Sequence, residues 1–163
     1  MTRRTRGREI ALQVLYQLEQ NPGLDPLEVR RFVERRLRDP KVREFAESLI
    51  AGVQAHRPRI DGLISEVAEN WRLDRMAAID RNILRIGAFE MLLCPEVPTK
   101  VAINEALELA KRYSTGQSSR FVNGILDRLH AAEAARQRPP GDEPTPGEGS
   151  PDDPASEPPP DEA

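Results

Sequence analysis

Residues 40–53, PKVREFAESLIAGV, carry the clearest structural signal in this chain of 163 residues. Their apolar side chains recur at intervals of three and four positions, which is the spacing of one face of an α-helix. The chain on either side repeats this spacing almost throughout, whereas strand-like alternation is nearly absent and Phe, Tyr and Trp make up only 4% of the residues. The sequence therefore predicts an all-α protein.

Acidic residues and prolines mark where the predicted helices begin and end. Asp25 and Asp39 each precede a proline, and an Asp N-cap with proline at the first helical position is typical of a helix start. We expect the helix that begins at 40 to end before Pro58, because proline interrupts helical hydrogen bonding. A fourth helix then continues to Trp71, and Asp74 caps a fifth. The whole pattern predicts six or seven helices.

The last 25 residues, 139–163, differ in composition from the rest. They contain nine prolines, eight acidic residues and no Lys or Arg, so they cannot bury enough apolar surface to fold. We expect a disordered Pro-rich acidic tail that follows a single helical domain, residues 1–138. All 24 basic residues but only 19 of the 27 acidic ones lie in that domain, which therefore carries a net charge of about +5, whereas the whole chain carries −3.

Cysteine content and hydropathy indicate the compartment. The single cysteine, Cys94, excludes a disulfide within the chain and lies in an apolar stretch, which favours a buried free thiol. No run approaches the ~20 apolar residues of a membrane span, and the arginine-rich N-terminus has no apolar signal core. We therefore expect a cytoplasmic protein.

None of the usual catalytic constellations is recognisable in the sequence. The glycines do not cluster into a phosphate-binding loop, and His56 and His130 have no cysteine pair to join them as metal ligands. Glu90 lies in an apolar helix face and is the best candidate for a carboxylate with a perturbed pKa. Without a second reactive group nearby in the sequence, a hydrogen-bonded or ion-paired Glu90 is favoured over a catalytic one. The sequence predicts no enzyme and no cofactor.

Two arginine-rich segments are candidates for phosphate contacts. A basic arm runs into the first helix and consists of Arg3, Arg4, Arg6 and Arg8. Its charge density fits the salt-dependent part of nucleic-acid affinity. A second block consists of Arg30, Arg31, Arg35, Arg36 and Arg38. Because Glu28 and Glu34 are interleaved with the second block, a solvated helix face with ion pairs is favoured there.

Two aromatic residues lie where the core does not require them. Tyr16 is on the polar border of the first helix, and Phe121 is on the edge of the last, next to Arg120. An aromatic ring beside arginines can stack on an unpaired base. The residues alone favour the alternative for Phe121, in which it packs under the loop of residues 114–118.

Four stretches, taken in their order and spacing, closely resemble the NusB family of bacterial transcription antitermination factors. They are RGREIALQVLY at 6–16, IDRNILRIGAFE at 79–90, VPTKVAINEALELAKRY at 97–113 and RFVNGILD at 120–127. The set is highly specific, and the likeness covers roughly residues 3–130.

The resemblance implies a fold of seven helices in two small bundles and a function in binding rather than catalysis. Family members pair with NusE, a ribosomal protein, to bind the single-stranded boxA element of nascent RNA. The pair then joins the antitermination complex of RNA polymerase at ribosomal RNA operons. The same role is expected here.

The resemblance also implies roles for individual residues. The basic arm (Arg3, Arg4, Arg6, Arg8) and Phe121 match family positions that contact RNA, which reverses the preference for a packing role of Phe121. Arg85 and Arg120 are expected as RNA neighbours on the same surface. Tyr16 and Asp80 match positions at the NusE interface, although Asp80 is one methylene shorter than the Glu of the best-known member.

Three alternatives remain open at this point. The chain can be a homodimer that hides its RNA surface until NusE or RNA arrives, since some family members self-associate. It can be an RNA-holding module related to ribosomal RNA methyltransferases, or a helical adaptor that binds only protein.

Overall fold

The computed structural model describes residues 2–141, and this part of the chain consists of six α-helices and one short 3-10 turn. The helices are α1 (Arg3–Gln20), α2 (Pro26–Arg36), α3 (Pro40–Val67), α4 (Ala78–Leu93), α5 (Thr99–Tyr113) and α6 (Gly116–Arg136). The turn, Leu73–Arg75, lies between α3 and α4. The all-α prediction is confirmed. Most of the predicted disordered tail, residues 142–163, lies outside the described residues.

The predicted N-caps of α2 and α3 are confirmed. The Asp25 carboxylate accepts a hydrogen bond from the Leu27 backbone N–H at 2.9 Å, and the Asp39 carboxylate accepts one from Lys41 at 3.0 Å. Each cap satisfies a backbone donor that has no partner within the first turn of the helix. The start of α1 is capped in the same way by Thr2, which lies just before the basic arm.

The predicted helix end before Pro58 was wrong, because α3 continues through this residue to Val67. A proline inside a helix costs about 3 kcal/mol through its missing N–H and its ring. Ile60 and Ile64, which follow Pro58, are 1% and 0% exposed and continue the buried row of Leu49 and Val53. Burial of each such side chain contributes roughly 1.5–3 kcal/mol, so together they outweigh the proline.

The predicted cap at Asp74 was also wrong. Asp74 lies inside the 3-10 turn, and α4 begins four residues later at Ala78. The segment between α3 and α4 is therefore a loop of residues 68–77 rather than a direct junction of two helices.

The six helices form two small bundles that share one core. Helices α1, α2 and α3 pack together, α4, α5 and α6 pack together, and α4 joins the two bundles through contacts with α1 and α3. Twelve large side chains in this core are almost fully buried: Ile10, Leu12, Leu49, Ile60, Ile64, Ile83, Leu84, Ile86, Leu109, Ile125, Leu126 and Leu129.

Two glycines permit the close approach of α4 to its neighbours. A Cβ at Gly52 would lie 2.1 Å from the Phe89 ring, so α3 meets α4 at a point where only glycine fits. A Cβ at Gly87 would lie 2.9 Å from Leu126 of α6. No helix among residues 2–141 is long and apolar enough to cross a membrane.

Candidate nucleic-acid interface

The basic arm forms the first two turns of α1, and most of its guanidinium groups lie on the surface. The Arg3 side chain is 82% exposed and pairs with Asp39 at 3.0 Å. Arg4 is exposed, with its guanidinium carbon 4.8 Å from the centroid of the Phe45 ring. The Arg6 side chain is 40% exposed and pairs with Glu9 at 2.9 Å. The Arg3–Asp39 pair is exposed and contributes little stability, so a polyanion that supplies several contacts displaces it at low cost, whereas the Glu9 partner of Arg6 is buried.

The structure brings the arm together with part of the second arginine block. A surface groove of about 440 Å³ is lined by Arg3, Arg6, Arg36, Leu37, Arg38, Asp39 and Val42. Four guanidinium groups and one carboxylate therefore share this basic groove. Sequence reasoning favoured a solvated helix face for the second block and missed this convergence. It arises because α1 and α3 begin side by side, as the contact between Arg3 and Asp39 indicates.

Arg8 differs from the rest of the arm because it is buried. It is 3% exposed and donates two hydrogen bonds to Glu90, which is 1% exposed, at 2.7 and 2.8 Å. Burial alone would lower the pKa of Arg8, but the hydrogen bonds and charge of Glu90 outweigh burial and raise it. The preference for an ion-paired Glu90 is confirmed. With only 3% of its side chain exposed, Arg8 offers very little surface for a direct contact with RNA in this structure.

Arg85 is likewise buried, at 3% exposure. It donates to both carboxylate oxygens of Asp61 at 2.8 and 3.0 Å and to Glu19 at 2.7 Å. Glu19 also accepts hydrogen bonds from Arg81 and Asn82. Burial would raise the pKa of Glu19, but these donors outweigh burial and lower it. This cluster, which we call the Glu19 network, joins α1, α3 and α4, and its partners were not predicted.

Phe121 lies in the second turn of α6, half-buried, and contacts an aromatic residue that the sequence analysis did not single out. Its ring centroid is 5.1 Å from that of Trp71, with an angle of 53° between the ring planes. Arg120 is exposed beside it. The only signal for Trp71 in the sequence was its place at the predicted end of a helix.

The two residues predicted at a partner interface differ in exposure. Tyr16 is 40% exposed on α1, whereas Asp80, in the first turn of α4, is 9% exposed. One carboxylate oxygen of Asp80 accepts a hydrogen bond from the Ser118 hydroxyl at 3.2 Å, and the other is buried without a hydrogen-bond partner.

Cys94 and the potential metal ligands are the remaining reactive groups of residues 2–141. Burial raises the pKa of the Cys94 thiol to about 11, helped by the charges of Glu96 and Glu90, so this thiol is protonated and unreactive at neutral pH. Among residues 2–141, no group of three His, Cys, Asp or Glu side chains is arranged to hold a metal ion.

Comparisons with known proteins agree with one another. The family model described as "NusB family" matches residues 5–131. Transcription antitermination protein NusB of Myxococcus xanthus is 50% identical over 136 residues, which cover 81% of this chain and 97% of that protein. NusB of an Anaeromyxobacter species is 47% identical over 137 residues, covering 83% of this chain and 95% of that protein.

Two solved structures have the same fold. T. maritima NusB superposes with a TM-score of 0.70 at 39% identity, covering 80% of this chain and 92% of that one. A crystal structure of antitermination factors NusB and NusE in complex with dsRNA contains a chain that matches with a TM-score of 0.72 at 27% identity. That match covers 81% of this chain and 98% of the other.

Proposed function

This chain belongs to the NusB family, and from that premise we propose that it is a transcription antitermination factor. It binds boxA-type single-stranded RNA together with NusE and acts on RNA polymerase at ribosomal RNA operons. It catalyses no reaction and needs no cofactor. Its site of action is the cytoplasm, and residues 1–138 are the functional domain.

The observation that carries this proposal is the basic groove at the start of α1. Arg3, Arg6, Arg36 and Arg38 line it, and Asp39 is its single acidic residue. Several guanidinium groups around one groove fit successive phosphates of an RNA strand, and each neutralised phosphate releases counterions. Arg4 lies next to the groove on the same helix.

A second contact region lies at Arg120 and Phe121. The arginine is exposed and the Phe121 ring is half-buried, so a phosphate and a base can be contacted by adjacent residues. Arg8 and Arg85 enter the proposal differently, because both are buried and ion-paired with carboxylates. They act as positioning residues, since Arg8 fixes α1 to α4 and Arg85 fixes α4 to α1 and α3.

Tyr16 and Asp80 form part of the proposed NusE surface. The exposed face of Tyr16 supports a direct contact. One carboxylate oxygen of Asp80 has no hydrogen-bond partner, so it can accept a hydrogen bond from NusE once NusE has displaced the side chains that cover it. The complex of NusB with NusE and dsRNA supports a shared binding surface, although its RNA is double-stranded whereas our proposal is for a single strand.

The test is a titration of the full chain with a labelled boxA RNA and with a scrambled RNA of equal length and composition. Each titration is run with and without NusE and at two salt concentrations, followed by fluorescence anisotropy. We expect boxA to bind more tightly than the scrambled RNA, NusE to increase that preference, and Phe121→Ala to weaken it.

Two results would contradict the proposal. Equal, strongly salt-dependent binding of both RNAs, unchanged by NusE, would indicate a basic protein without boxA specificity. Absence of binding to either RNA, together with a dimer mass in light scattering, would indicate self-association that occludes the surface.

A further inference from the structure

Trp71 is the most exposed large hydrophobic side chain among residues 2–141, at 56%, and it is the only tryptophan in the sequence. Tryptophan is highly buried on average and is enriched at interfaces, so an exposed indole beside a second aromatic ring is a candidate contact site. The indole contacts the Phe121 ring, and more than half of Trp71 nevertheless remains exposed to solvent.

The loop that carries Trp71 is held in place by the Glu19 network. Arg81 donates hydrogen bonds to the backbone carbonyls of Leu73 and Met76 at 3.0 and 2.9 Å and also pairs with Glu19. The Trp71 backbone N–H donates to the Ala68 carbonyl at 3.0 Å. The indole is therefore presented by an anchored loop, which lowers the entropy that is lost when it binds a ligand.

The two rings form part of the wall of a groove of about 540 Å³. The residues that line this groove include Trp71, Arg72, Arg75, Asp80, Ser118 and Phe121. Its rings are tilted by 53° rather than stacked face to face, so a flat ligand can lie on one ring and meet the edge of the other.

The charges around this groove favour a nucleic acid over an apolar peptide. Arg72 and Arg75 are both exposed at its rim, and Arg72 forms a surface ion pair with Asp74 at 2.9 Å that a phosphate can displace at low cost. The single carboxylate in the lining, Asp80, is 9% exposed and already accepts a hydrogen bond from Ser118. Aromatic faces bordered by exposed guanidinium groups are the combination that binds an unpaired base and its flanking phosphates.

We propose that Trp71 and Phe121 form a binding surface, which we call the aromatic clamp, where one unpaired nucleobase of a bound RNA lies on one ring and meets the edge of the other. Arg72 and Arg75 contact the adjacent phosphates. The inference rests on the proposed RNA-binding function and adds Trp71, Arg72 and Arg75 to its contact residues.

The position of the aromatic clamp also predicts the conformation of the bound RNA. The arm lies beside the start of α5, since Arg3 and Arg4 line a surface groove together with Pro98 and Val101, while Phe121 follows shortly after the end of α5. Helix α5 has 15 residues, so its ends are roughly 20 Å apart. An RNA that contacts both regions runs along α5 as a strand of several nucleotides, and its base at the clamp is unstacked.

The single tryptophan makes the clamp directly observable. Titration of the full chain with boxA-type single-stranded RNA is followed by tryptophan emission and, in parallel, by anisotropy of labelled RNA. Stacking of a base on the indole quenches emission, and we expect the two signals to give the same midpoint. A duplex of the same sequence, which has no unpaired base, is expected to quench much less at equal saturation.

The variants Trp71→Leu and Trp71→Phe separate stacking from mere apolar contact. We expect Trp71→Leu to weaken single-stranded RNA binding at least fivefold, the lower end of the contribution of one base–aromatic stack, and Trp71→Phe to retain most of the affinity. Leu27→Ala is the matched control, because Leu27 is 49% exposed on α2, outside the groove. It is expected to bind RNA as the wild type does. Because Trp71 is more than half exposed, melting temperatures of all three variants should stay close to that of the wild type.

Four outcomes would overturn the clamp. RNA binding without a change in tryptophan emission, with Trp71→Leu at wild-type affinity, would refute it and leave the proposed function standing. Equal quenching by duplex RNA would refute the requirement for an unpaired base. Quenching by NusE alone, with Trp71→Leu impaired only in NusE binding, would assign the groove to a protein partner. Absence of RNA binding in anisotropy would refute the clamp and the proposed function together.

Discussion

Arg4 and Arg8 lie one helical turn apart on α1 and contact the same ring, yet their surroundings differ completely. Their guanidinium carbons are 4.8 and 5.1 Å from the centroid of Phe45. Arg4 is exposed, whereas Arg8 is 3% exposed and bound to Glu90. The same side chain is thus available to ligands in one case and part of the protein interior in the other. Burial and the partner, rather than residue type, decide which role an arginine has.

The same contrast holds between two arginines of the second bundle, Arg85 on α4 and Arg120 on α6. Arg85 is enclosed by Glu19 and Asp61, while Arg120 is exposed next to the aromatic clamp. Interior arginines should therefore affect the free energy of unfolding, and surface arginines should affect RNA affinity and its salt dependence. Substitutions can separate the two classes.

Removal of Arg8 is expected to have the largest effect on stability. The variant Arg8→Met leaves the Glu90 carboxylate buried without its partner, which costs about 3–5 kcal/mol of unfolding free energy. Urea denaturation measures this loss. The double variant Arg8→Met/Glu90→Leu removes both charges, so it should be clearly more stable than Arg8→Met. If the two variants had equal stability, lost packing rather than an unpaired charge would be the cause.

Removal of the Glu19 charge is expected to cost less and to depend on pH. At neutral pH, Glu19→Gln weakens hydrogen bonds from charged donors, which contribute about 1.5–3 kcal/mol. Because folding lowers the pKa of Glu19 from its ordinary value of 4.5, its stabilisation is present above that pH and is lost as the pH falls through the folded-state pKa. The difference in unfolding free energy between wild type and Glu19→Gln should therefore shrink below pH 4.5. A difference that stayed constant from pH 7 to pH 3 would contradict this account.

Removal of surface arginines is expected to have the smallest effect on stability. Arg3→Ala or Arg4→Ala should change the unfolding free energy by no more than about 0.5 kcal/mol. In RNA titrations over a range of salt concentrations, each should reduce the slope of log affinity against log salt by about 0.7, the value for one lost phosphate contact on a single strand. Arg30→Ala on α2 is the control, since Arg30 is exposed, pairs with Glu34 and lies outside the basic groove. If Arg3→Ala or Arg4→Ala lost as much stability as Arg8→Met, the distinction between surface and interior arginines would be contradicted.

The sequence was sufficient for features that depend on neighbours along the chain. The apolar spacing predicted helices, and Asp25 and Asp39 were recognised as N-caps because capping involves residues only two or three positions apart. The partner requirement of Glu90 was also foreseen, since a carboxylate in an apolar face needs a cation. The end predicted at Pro58 failed because burial of Ile60 and Ile64 depends on other helices.

The candidate site was predicted less completely, because it depends on how helices pack. Arg8 shares a helix face with Ala11, Leu12 and Leu15, which are all buried, so helical periodicity did indicate an interior position for it. Its place in a run of arginines obscured this signal. The approach of Arg36 and Arg38 to the arm had no such signal. Contacts between positions more than thirty residues apart follow from the packing of α1 against α3, which helical periodicity does not specify.

The Asp39 carboxylate competes with bound anions for the arginines of the basic groove. One oxygen of its carboxylate is fixed by the Lys41 backbone N–H as the cap of α3, which leaves the other oxygen 3.0 Å from Arg3. A tethered anion of this kind acts at a high effective concentration, so a single small anion gains little by replacing it. A chain of phosphates loses only one contact to Asp39 and engages the other arginines at the same time. We therefore expect the groove to bind polyanions in preference to the single small anions of the surrounding solution.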